Sequence, residues 1–228
     1  MVDNFLSGTD RPDHETLQER VYQQLRFDIM TGKFVPGKAV TIRGLAEDLG
    51  TSPMPVREAL RRLVAEHALQ LLPNRRVAVP DMSAEKYREI ADARIALEPL
   101  AARRAYPHIT DDILNRLVKT DEAVDLAIAA GDVEKYLAKN MEFHFILYRT
   151  AQLGVMMPLI ESLWLQMGPF LYLAMHATGL GTVDDQHRAA TKAIREKDVD
   201  ALVRAIELDI LDGVNRMPDE EFDKIAQK

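Results

Sequence analysis

Arginine side chains collect on one side of a predicted helix near residue 57 and again in the turn that follows it. The apolar residues of that segment recur at spacings of four and three and predict one buried stripe: Val56, Leu60 and Leu63. Three arginines lie largely off this stripe: Arg57, Arg61 and Arg62. Two more, Arg75 and Arg76, stand in the turn between the next two apolar runs. Guanidinium groups placed in this way suit contacts with DNA phosphates and with the edge of a groove, and they indicate binding rather than catalysis.

The elements that would hold these arginines are two short helices with a small polar break between them. Thr41 suits the N-cap of the first helix, and Gly50 ends it because glycine tolerates the left-handed conformation. Ser52 can cap the second helix, with Pro53 at the first helical position, where a missing N–H costs little. The pattern predicts a helix-turn-helix.

A short hairpin is predicted immediately after the second helix. Residues 69–72 and 77–79 can pair as strands around a basic turn at 73–76. The order of helix, turn, helix and hairpin is typical of a winged helix-turn-helix that reads DNA. A solvated helical hairpin with surface arginines is the plainer alternative, but it leaves the basic turn without a role.

Composition limits the class of protein. The 228 residues contain 47% hydrophobic and 29% charged residues, which is ordinary for a globular protein with a buried core. Cysteine is absent, so disulfides and Cys-ligated zinc or iron–sulfur sites are excluded. No run of about 18 or more apolar residues occurs, so no membrane span is expected. The polar, acidic N-terminus is unlike a secretory signal, and we expect the protein in the cytoplasm.

Charge is distributed unevenly along the chain. The formal net charge is −7, and a negative charge spread evenly over the protein would repel DNA phosphates. Residues 34–80, however, carry seven Lys or Arg against four Asp or Glu, whereas residues 81–228 carry 18 against 26. Because salt limits the reach of distant charge to about 10 Å, a locally basic module on an acidic body can still bind phosphate.

The chain is predicted to have four parts: a disordered tail at 1–13, a DNA-binding domain at 14–80, an all-α domain at 81–217 and a C-terminal tail at 218–228. The DNA-binding domain opens with an amphipathic helix at 14–31. In the all-α domain, periodicity predicts six helices, at 84–105, 110–130, 132–151, 155–177, 183–196 and 198–216. The fold class is therefore mainly α, with an N-terminal winged helix-turn-helix and a C-terminal antiparallel bundle of six to seven helices.

Several stretches resemble one family of bacterial transcription regulators. The runs GKFVPGKAV, RGLAEDLGTS and PVREALRRL are similar to the DNA-binding domain of the GntR family. The later runs RIALEPLAARRA, FH at 143–144 and DQHRAATKAIREKD resemble the FCD ligand-binding domain of its FadR-type subgroup. The resemblance covers residues 14–216. It implies a homodimer on a two-fold double-stranded DNA operator, often a repressor, released by a small carboxylate effector.

The resemblance also implies which residues contact DNA. Family contacts map onto Arg43, Ser52 and Arg57, and the predicted interface with its neighbours comprises Arg43, Thr51, Ser52, Met54, Arg57, Arg61, Arg75 and Arg76. This chain departs from the family pattern at Pro53, where a basic residue is usual, and at Met54, where threonine is usual. Arg76 stands where the hairpin tip usually has glycine. Because base readout depends on such side chains, these departures imply an operator of different sequence.

A metal site in the bundle is a further implication of the resemblance. Many FCD domains bind a divalent metal through an aspartate and three histidines, and the corresponding residues here are Asn140, His144, His187 and Asp209. Zinc or nickel would accept such ligands. The alternative is a metal-free pocket in which Asn140, His144 and His187 bind the effector directly. In either case Arg94 could pair with an effector carboxylate, or else simply form a salt bridge.

Two other functions compete with a ligand-controlled regulator. A metal-dependent enzyme could use His144, His187 and Asp209, but the sequence offers no convincing general base and no catalytic motif, so no catalytic residue is expected. A helical scaffold protein would leave the basic hairpin unexplained.

Overall fold

The computed structural model describes residues 16–73, 76–180, 186–217 and 222. Within them the protein is mainly α-helical, with one small sheet near the N-terminus. A three-helix head with a wing precedes a bundle of long helices, so the predicted fold class is confirmed. The predicted tail at 1–13 and most of the one at 218–228 lie outside the described residues. None of the described helices is both long enough and apolar enough to cross a bilayer.

The head consists of three helices and three very short strands. Its helices are α1 (Leu17–Met30), α2 (Ile42–Asp48) and α3 (Pro53–Ala65), and its strands are β1 (Val40–Thr41), β2 (Gln70–Leu71) and β3 (Arg76–Ala78). The sheet is antiparallel with the order β1-β3-β2. Strands this short would have only marginal stability alone, but the buried side chains of Val77 and Val79 pack in the hydrophobic core of the domain.

The sheet differs from the predicted hairpin in two respects. A third strand, β1, pairs Val40 with Val77 and Thr41 with Arg76. A strand of two residues carries no alternating pattern, and its second residue, Thr41, is also the N-cap of α2, so nothing in the sequence indicated this strand. Arg76 was expected in the turn but belongs to β3, because its pairing with Thr41 extends the strand by one residue.

Helix caps explain where the two helices of the helix-turn-helix begin. The Thr41 hydroxyl accepts a hydrogen bond of 3.0 Å from the Gly44 N–H and caps α2. Gly50 follows α2 with a positive φ of 60°. Ser52 occupies the N-cap position of α3, yet its side chain makes no capping hydrogen bond. The third residue of α3 is Pro55, which lacks the N–H that an N-cap side chain often receives.

Among the residues that the structure describes, six α-helices and one short 3-10 helix form the body. They are α4 (Ala84–Ala105), the 3-10 helix Tyr106–His108, α5 (Asp111–Ala130), α6 (Val133–Arg149), α7 (Met156–Thr178), α8 (Gln186–Glu196) and α9 (Val199–Asn215). Each α-helix begins and ends within about three residues of its predicted bounds, since apolar periodicity marks a buried face. The sequence predicts a bend at Gly168–Pro169, and α7 continues through these residues as one helix.

The head packs on the body mainly through α1 and α7. Gly168 of α7 lies directly against the backbone of Met30, at the end of α1. Glu161 of α7 accepts hydrogen bonds from Arg26 of α1 at 2.7 Å and from Arg149 of α6 at 2.8 Å. A glycine contact and a three-residue ion cluster therefore join the two parts.

Candidate nucleic-acid interface and candidate metal centre

Helix α3 presents one exposed face that is partly cationic and partly apolar. Its buried side packs on the head: Pro55, Val56, Ala59, Leu60 and Leu63. Met54, Arg57 and Arg61 are exposed and follow one another at spacings of three and four, so they share a face. Arg61 pairs with Glu58 at 3.2 Å, but both side chains are well exposed, so the pair is weak. Arg57 has no ion pair within the part of the chain that the structure describes.

Arg62 has a different role from the other arginines of α3. Its guanidinium donates to Glu19 of α1 at 2.7 Å and lies 3.4 Å from the centre of the Tyr22 ring. The Tyr22 hydroxyl in turn donates to Glu66. These contacts hold α3 against α1, so Arg62 fixes the orientation of the helix instead of projecting from it.

The two residues just before α3 differ in how exposed their hydroxyl groups are. Ser52 is exposed and unused as a cap, which leaves its hydroxyl available at the predicted interface. Thr51 is also predicted to contact DNA, but its Oγ1 is shielded from solvent and has no hydrogen-bond partner among the described residues. The Thr51 hydroxyl is therefore turned away from the surface, and the prediction for it does not fit this conformation.

The remaining predicted contacts lie on α2 and in the wing. Arg43, in the first turn of α2, is exposed. Arg76 is half-buried, and its Nη2 donates to the carbonyl oxygen of Ala39 at 2.8 Å. This bond ties β3 to the residue before β1, so part of the Arg76 guanidinium is engaged inside the head. Arg75 lies outside the described residues.

A second cluster of functional side chains lies inside the bundle. His144 of α6, His187 of α8 and Asp209 of α9 are brought together from three helices. Nε2 of His144 is 2.8 Å from Oδ2 of Asp209 and 3.4 Å from Nε2 of His187. Nε2 of His187 is 3.6 Å from Oδ1 of Asp209. Both histidines are buried, so the three groups face one another away from bulk water.

The other nitrogen of each imidazole is held by a second polar group. His187 Nδ1 lies 3.3 Å from Oδ1 of Asp121 on α5, and the His187 ring stacks on Phe143. His144 Nδ1 lies 2.9 Å from the Tyr148 hydroxyl. Partners of this kind orient metal-ligating histidines, because they fix the tautomer that leaves Nε2 free to bind. Neither Asp121 nor Tyr148 was identified from the sequence. Nothing local connects Asp121 to His187, whereas Tyr148 lies four residues after His144 on the same face of α6, and this spacing is a signal that could have found it.

Hydrogen-bond directions fix the proton on His144. The Tyr148 hydroxyl donates its one hydrogen to Glu98 at 2.9 Å, so it must accept from Nδ1–H of His144. Burial and the Glu98 carboxylate raise the pKa of Tyr148 well above its ordinary value, so the hydroxyl keeps its hydrogen. In a neutral His144, Nε2 is then an unprotonated nitrogen that faces Asp209. Such a contact needs a proton or a metal ion between the two atoms.

Asp209 is the anionic member of the cluster. Burial would raise the pKa of Asp209, but the charge and hydrogen bond of a protonated His144, with His187 and Arg94, lower that pKa to about 2. This is the arrangement in which a proton, and not a metal ion, lies between Nε2 of His144 and Asp209. The carboxylate is therefore ionised at neutral pH. Two imidazole nitrogens and one carboxylate form a donor set that zinc and nickel accept.

A small cavity adjoins this cluster. It has a volume of about 20 Å³, and its lining includes Arg94, Asn140 and Asp209. Asn140 lies one turn before His144 on α6 and is buried, so the structure places it beside the cluster as predicted by the spacing. A volume of this size holds about one water molecule or one ion, and it is too small for an organic acid.

Arg94 is buried and already paired. Its Nε and Nη2 face the two carboxylate oxygens of Glu98, at 2.6 and 3.4 Å, and its guanidinium stacks on the Trp164 ring at 4.3 Å. The structure therefore shows the salt bridge, through the Nε–Nη2 side of the guanidinium, while Nη1 lies 3.2 Å from Sδ of Met167. Because Arg94 also lines the cavity, its pairing with an effector carboxylate stays a prediction. Glu98 also accepts from Trp164 Nε1 at 3.0 Å.

Comparison with known proteins decides the family. The family model for gntR bacterial regulatory proteins matches residues 17–79, and the FCD domain model matches residues 89–211. The HTH-type transcriptional regulator McbR of Escherichia coli K12 is 31% identical over 196 residues, which are 85% of this chain and 89% of McbR. The chain belongs to the GntR family. Its head is the GntR domain, and its bundle contains an FCD domain.

The solved structure of McbR and one further relative agree with this assignment. The solved structure of E. coli McbR/YncC superimposes with a TM-score of 0.82 at 26% identity, and the match covers 94% of this chain and 99% of the other. The gluconate operon transcriptional repressor of Bacillus licheniformis is 24% identical over 206 residues, which are 88% of this chain and 84% of the repressor. The prediction of a transcriptional regulator that is not an enzyme is confirmed. The metal-dependent enzyme is not supported.

Proposed function

We propose that this GntR-family regulator is a homodimeric cytoplasmic repressor that binds operator DNA through the exposed face of α3. We propose further that a divalent metal and a carboxylate effector in the FCD domain control its affinity for DNA. The observation that carries the proposal is the position of α7. One part of this helix lines the cavity beside Asp209, and another part carries α1 of the GntR domain.

DNA binding rests on the exposed face of α3 and on Arg43. Arg57 and Arg61 project from the same face, and Arg62 and Tyr22 hold that helix in place against α1. In a two-fold dimer, two such helices would enter successive major grooves of one operator. The name of the gluconate operon repressor supports repression as the mode of action.

Metal binding rests on the donor set and its protons. His144, His187 and Asp209 would hold the ion, and the amide oxygen of Asn140 is available beside them. The separation of 3.4 Å between the two imidazole Nε2 atoms matches two ligands on one zinc ion, which at bond lengths of about 2.0–2.1 Å stand roughly 3.3 Å apart in a tetrahedron. A bound metal would supply a Lewis-acid position to which a carboxylate oxygen can attach.

The effector requires more room than the cavity provides. A cavity of about 20 Å³ admits a water molecule, so an organic acid must displace surrounding side chains as it binds. The apolar part of the lining belongs partly to α7, through Leu171 and Met175. An effector would therefore act on α7 directly.

Buried hydrogen bonds connect the His–Asp cluster to α7 by a second path. Asp209 contacts His144, His144 donates to Tyr148, and Tyr148 donates to Glu98. Glu98 accepts from Trp164 of α7, four residues before Gly168. A shift of His144 would alter these hydrogen bonds, so we infer that a change at the cluster is transmitted to the segment of α7 that contacts α1.

Regulation then needs only a difference in affinity between two arrangements of the domains. An effector that binds better when α7 and α1 are displaced from each other weakens DNA binding, and DNA weakens effector binding by the same factor. The two GntR domains of a dimer must fit one operator together, so a small change at each α1 is sufficient.

Binding to DNA from upstream of the chain's own gene tests the first half of the proposal. We expect retardation of that fragment in low salt by the wild-type protein and by an Arg104→Ala variant, which changes an exposed arginine of α4. An Arg57→Ala variant should bind much more weakly. Equal binding by all three proteins, or none by any, would contradict DNA recognition through α3.

Elemental analysis of the purified protein tests the second half. We expect about one zinc or nickel ion per chain in the wild-type protein and in His108→Ala, which alters an exposed histidine far from the cluster in sequence. His144→Ala and Asp209→Ala should lose the metal. Full metal content in His144→Ala would refute this placement of the site.

A further inference from the structure

Met54 has 63% of its surface accessible, which is high for a large apolar side chain. Among the described large apolar residues of the GntR domain, only Leu71 in the wing is more exposed, at 65%. Met54 occupies the second position of α3 and lies on the surface that the proposed function assigns to DNA. Arg57 and Arg61 project from the same face, and so does the partly exposed Glu58, which pairs with Arg61. A lone exposed methionine is ordinary on a protein surface, so its position needs a second observation.

The first turn of α3 is unusually poor in hydrogen-bond donors. Pro53 and Pro55 occupy the first and third helical positions, and neither has an N–H. The beginning of a helix normally offers several free N–H groups to phosphates or base edges. Here the first three positions offer only the N–H of Met54, with the Ser52 hydroxyl beside it. Apolar contact is therefore the main interaction that this end of α3 can make.

Only one base presents an apolar group in the major groove. The C5-methyl group of thymine is that group, whereas the other exposed edges are hydrogen-bond donors and acceptors. The methionine side chain is unbranched and polarisable and adapts its shape to such a contact. We propose that Met54 reads the methyl group of a thymine in the operator, and that it is the specificity-determining residue at that base pair. This inference rests on the proposed DNA-binding function.

The helix geometry places this thymine relative to the next contact. Arg57 lies three residues after Met54 on the same face, which is about 4.5 Å along the helix axis. Successive base pairs are about 3.4 Å apart, and arginine most often reads guanine. The thymine read by Met54 therefore lies one or two base pairs from the guanine read by Arg57.

The test begins with selection of bound sequences from random double-stranded DNA by the wild-type protein and by Met54→Ser. We expect one thymine per half-site, one or two pairs from a guanine, in the wild-type selection. At that position the Met54→Ser selection should show no preference for thymine. Circular dichroism should show the same helix content for both proteins, because the side chain is exposed.

The second step removes only the methyl group. Uracil in place of that thymine should weaken wild-type binding about fourfold, which corresponds to ~0.8 kcal/mol for one buried carbon group. It should leave Met54→Ser unchanged, and uracil at any other thymine of the site should have little effect on the wild type. An enriched site that tolerates uracil at every thymine would overturn the inference while leaving DNA binding intact. A wild-type protein that enriches no sequence would overturn both.

Discussion

Gly168 of α7 and Met30 of α1 approach so closely that a Cβ atom at residue 168 would stand 2.7 Å from both Cα and the carbonyl oxygen of Met30. Both atoms belong to the backbone, which cannot rotate aside as a side chain can. The FCD and GntR domains therefore meet at a point where only glycine fits.

Gly168→Ala is expected to separate the two domains locally. The added methyl group must push α1 away from α7, at a cost of roughly 1–3 kcal/mol for overpacking. Chemical denaturation should show this loss of stability. Operator affinity should change as well, because the packing of α1 on α7 sets the position of α3.

Gly213→Ala is the matched control for that variant. Gly213 also lies inside a helix, but a Cβ there would meet its nearest neighbour, the Leu171 side chain, at an ordinary 3.9 Å. Alanine should therefore stabilise α9 by roughly 0.4–1 kcal/mol. Equal stability gains in the two variants would contradict the close packing of Gly168 on Met30.

Glu161→Gln is expected to weaken the same interface in a pH-dependent way. Burial would raise the pKa of Glu161, but Arg26 and Arg149 lower it below its ordinary value of 4.5. A carboxylate with a lowered pKa stabilises the fold above the unfolded pKa, and this contribution disappears as pH falls through the folded pKa. At neutral pH the variant should lose roughly 1–3 kcal/mol, since hydrogen bonds to charged groups are lost.

The free energy of unfolding of Glu161→Gln and of the wild type, measured between pH 7 and pH 3, checks this expectation. The difference between the two proteins should be constant near neutrality and begin to shrink below about pH 4.5, where this carboxyl group takes up a proton in the unfolded chain. It should reach its minimum only below the lowered pKa that Glu161 has in the folded protein. Glu58→Gln, which alters an exposed pair on α3, should show almost no difference at any pH. A difference that is independent of pH would mean that the ion cluster does not join the domains.

Local patterns in the sequence were sufficient for the helices and for the order of the elements. Apolar spacing marks which side of each helix is buried, and caps such as Thr41 and Ser83 mark where helices begin. The two-residue strand β1 was missed because its partner, Val77, lies 37 residues away and leaves no local trace. Thr51 was placed at the interface by its position in the chain, but its neighbours decide where the hydroxyl points.

The candidate metal site shows the same division between local and tertiary information. The resemblance to FCD domains selected His144, His187 and Asp209, and the structure brings their ligand atoms together. Asp121 could not be read from spacing, because it approaches His187 from another helix, α5. Tyr148 follows His144 by one helical turn, so its spacing was a visible signal that the prediction did not use. For Arg94, the acidic residue four positions later was a visible signal, and the structure shows that pair.

Tyr148→Phe is expected to weaken metal binding without removing a ligand. Phenylalanine cannot accept the hydrogen bond from His144 Nδ1 or donate to Glu98, so the imidazole loses the partner that fixes its tautomer. Loss of a supporting group of this kind typically lowers metal affinity by about 10- to 100-fold. Zinc titration in competition with a chromophoric chelator measures the effect. Tyr106→Phe, in the 3-10 helix after α4, should bind zinc like the wild type; a Tyr148→Phe protein with unchanged affinity would show that the site needs no such support.

Arg57→Ala and Arg62→Ala, five residues apart on α3, are expected to fail in different ways. Arg57 is exposed and has no ion pair among the described residues, so its loss should weaken operator binding by about 1–3 kcal/mol and relax the preference for guanine at the base pair that it reads. A uniform loss of affinity across sites, with the slope of log affinity against log salt reduced by about 1, would instead mark a phosphate contact. Arg62 binds Glu19 and covers the Tyr22 ring, so its loss should lower the stability of the head and leave the salt slope unchanged in the protein that remains folded.

Fluorescence anisotropy with a labelled operator at several salt concentrations, beside thermal unfolding of each variant, separates the two effects. A reduced salt slope in Arg62→Ala with normal stability would place Arg62 on the DNA and contradict its role in holding α3 against α1.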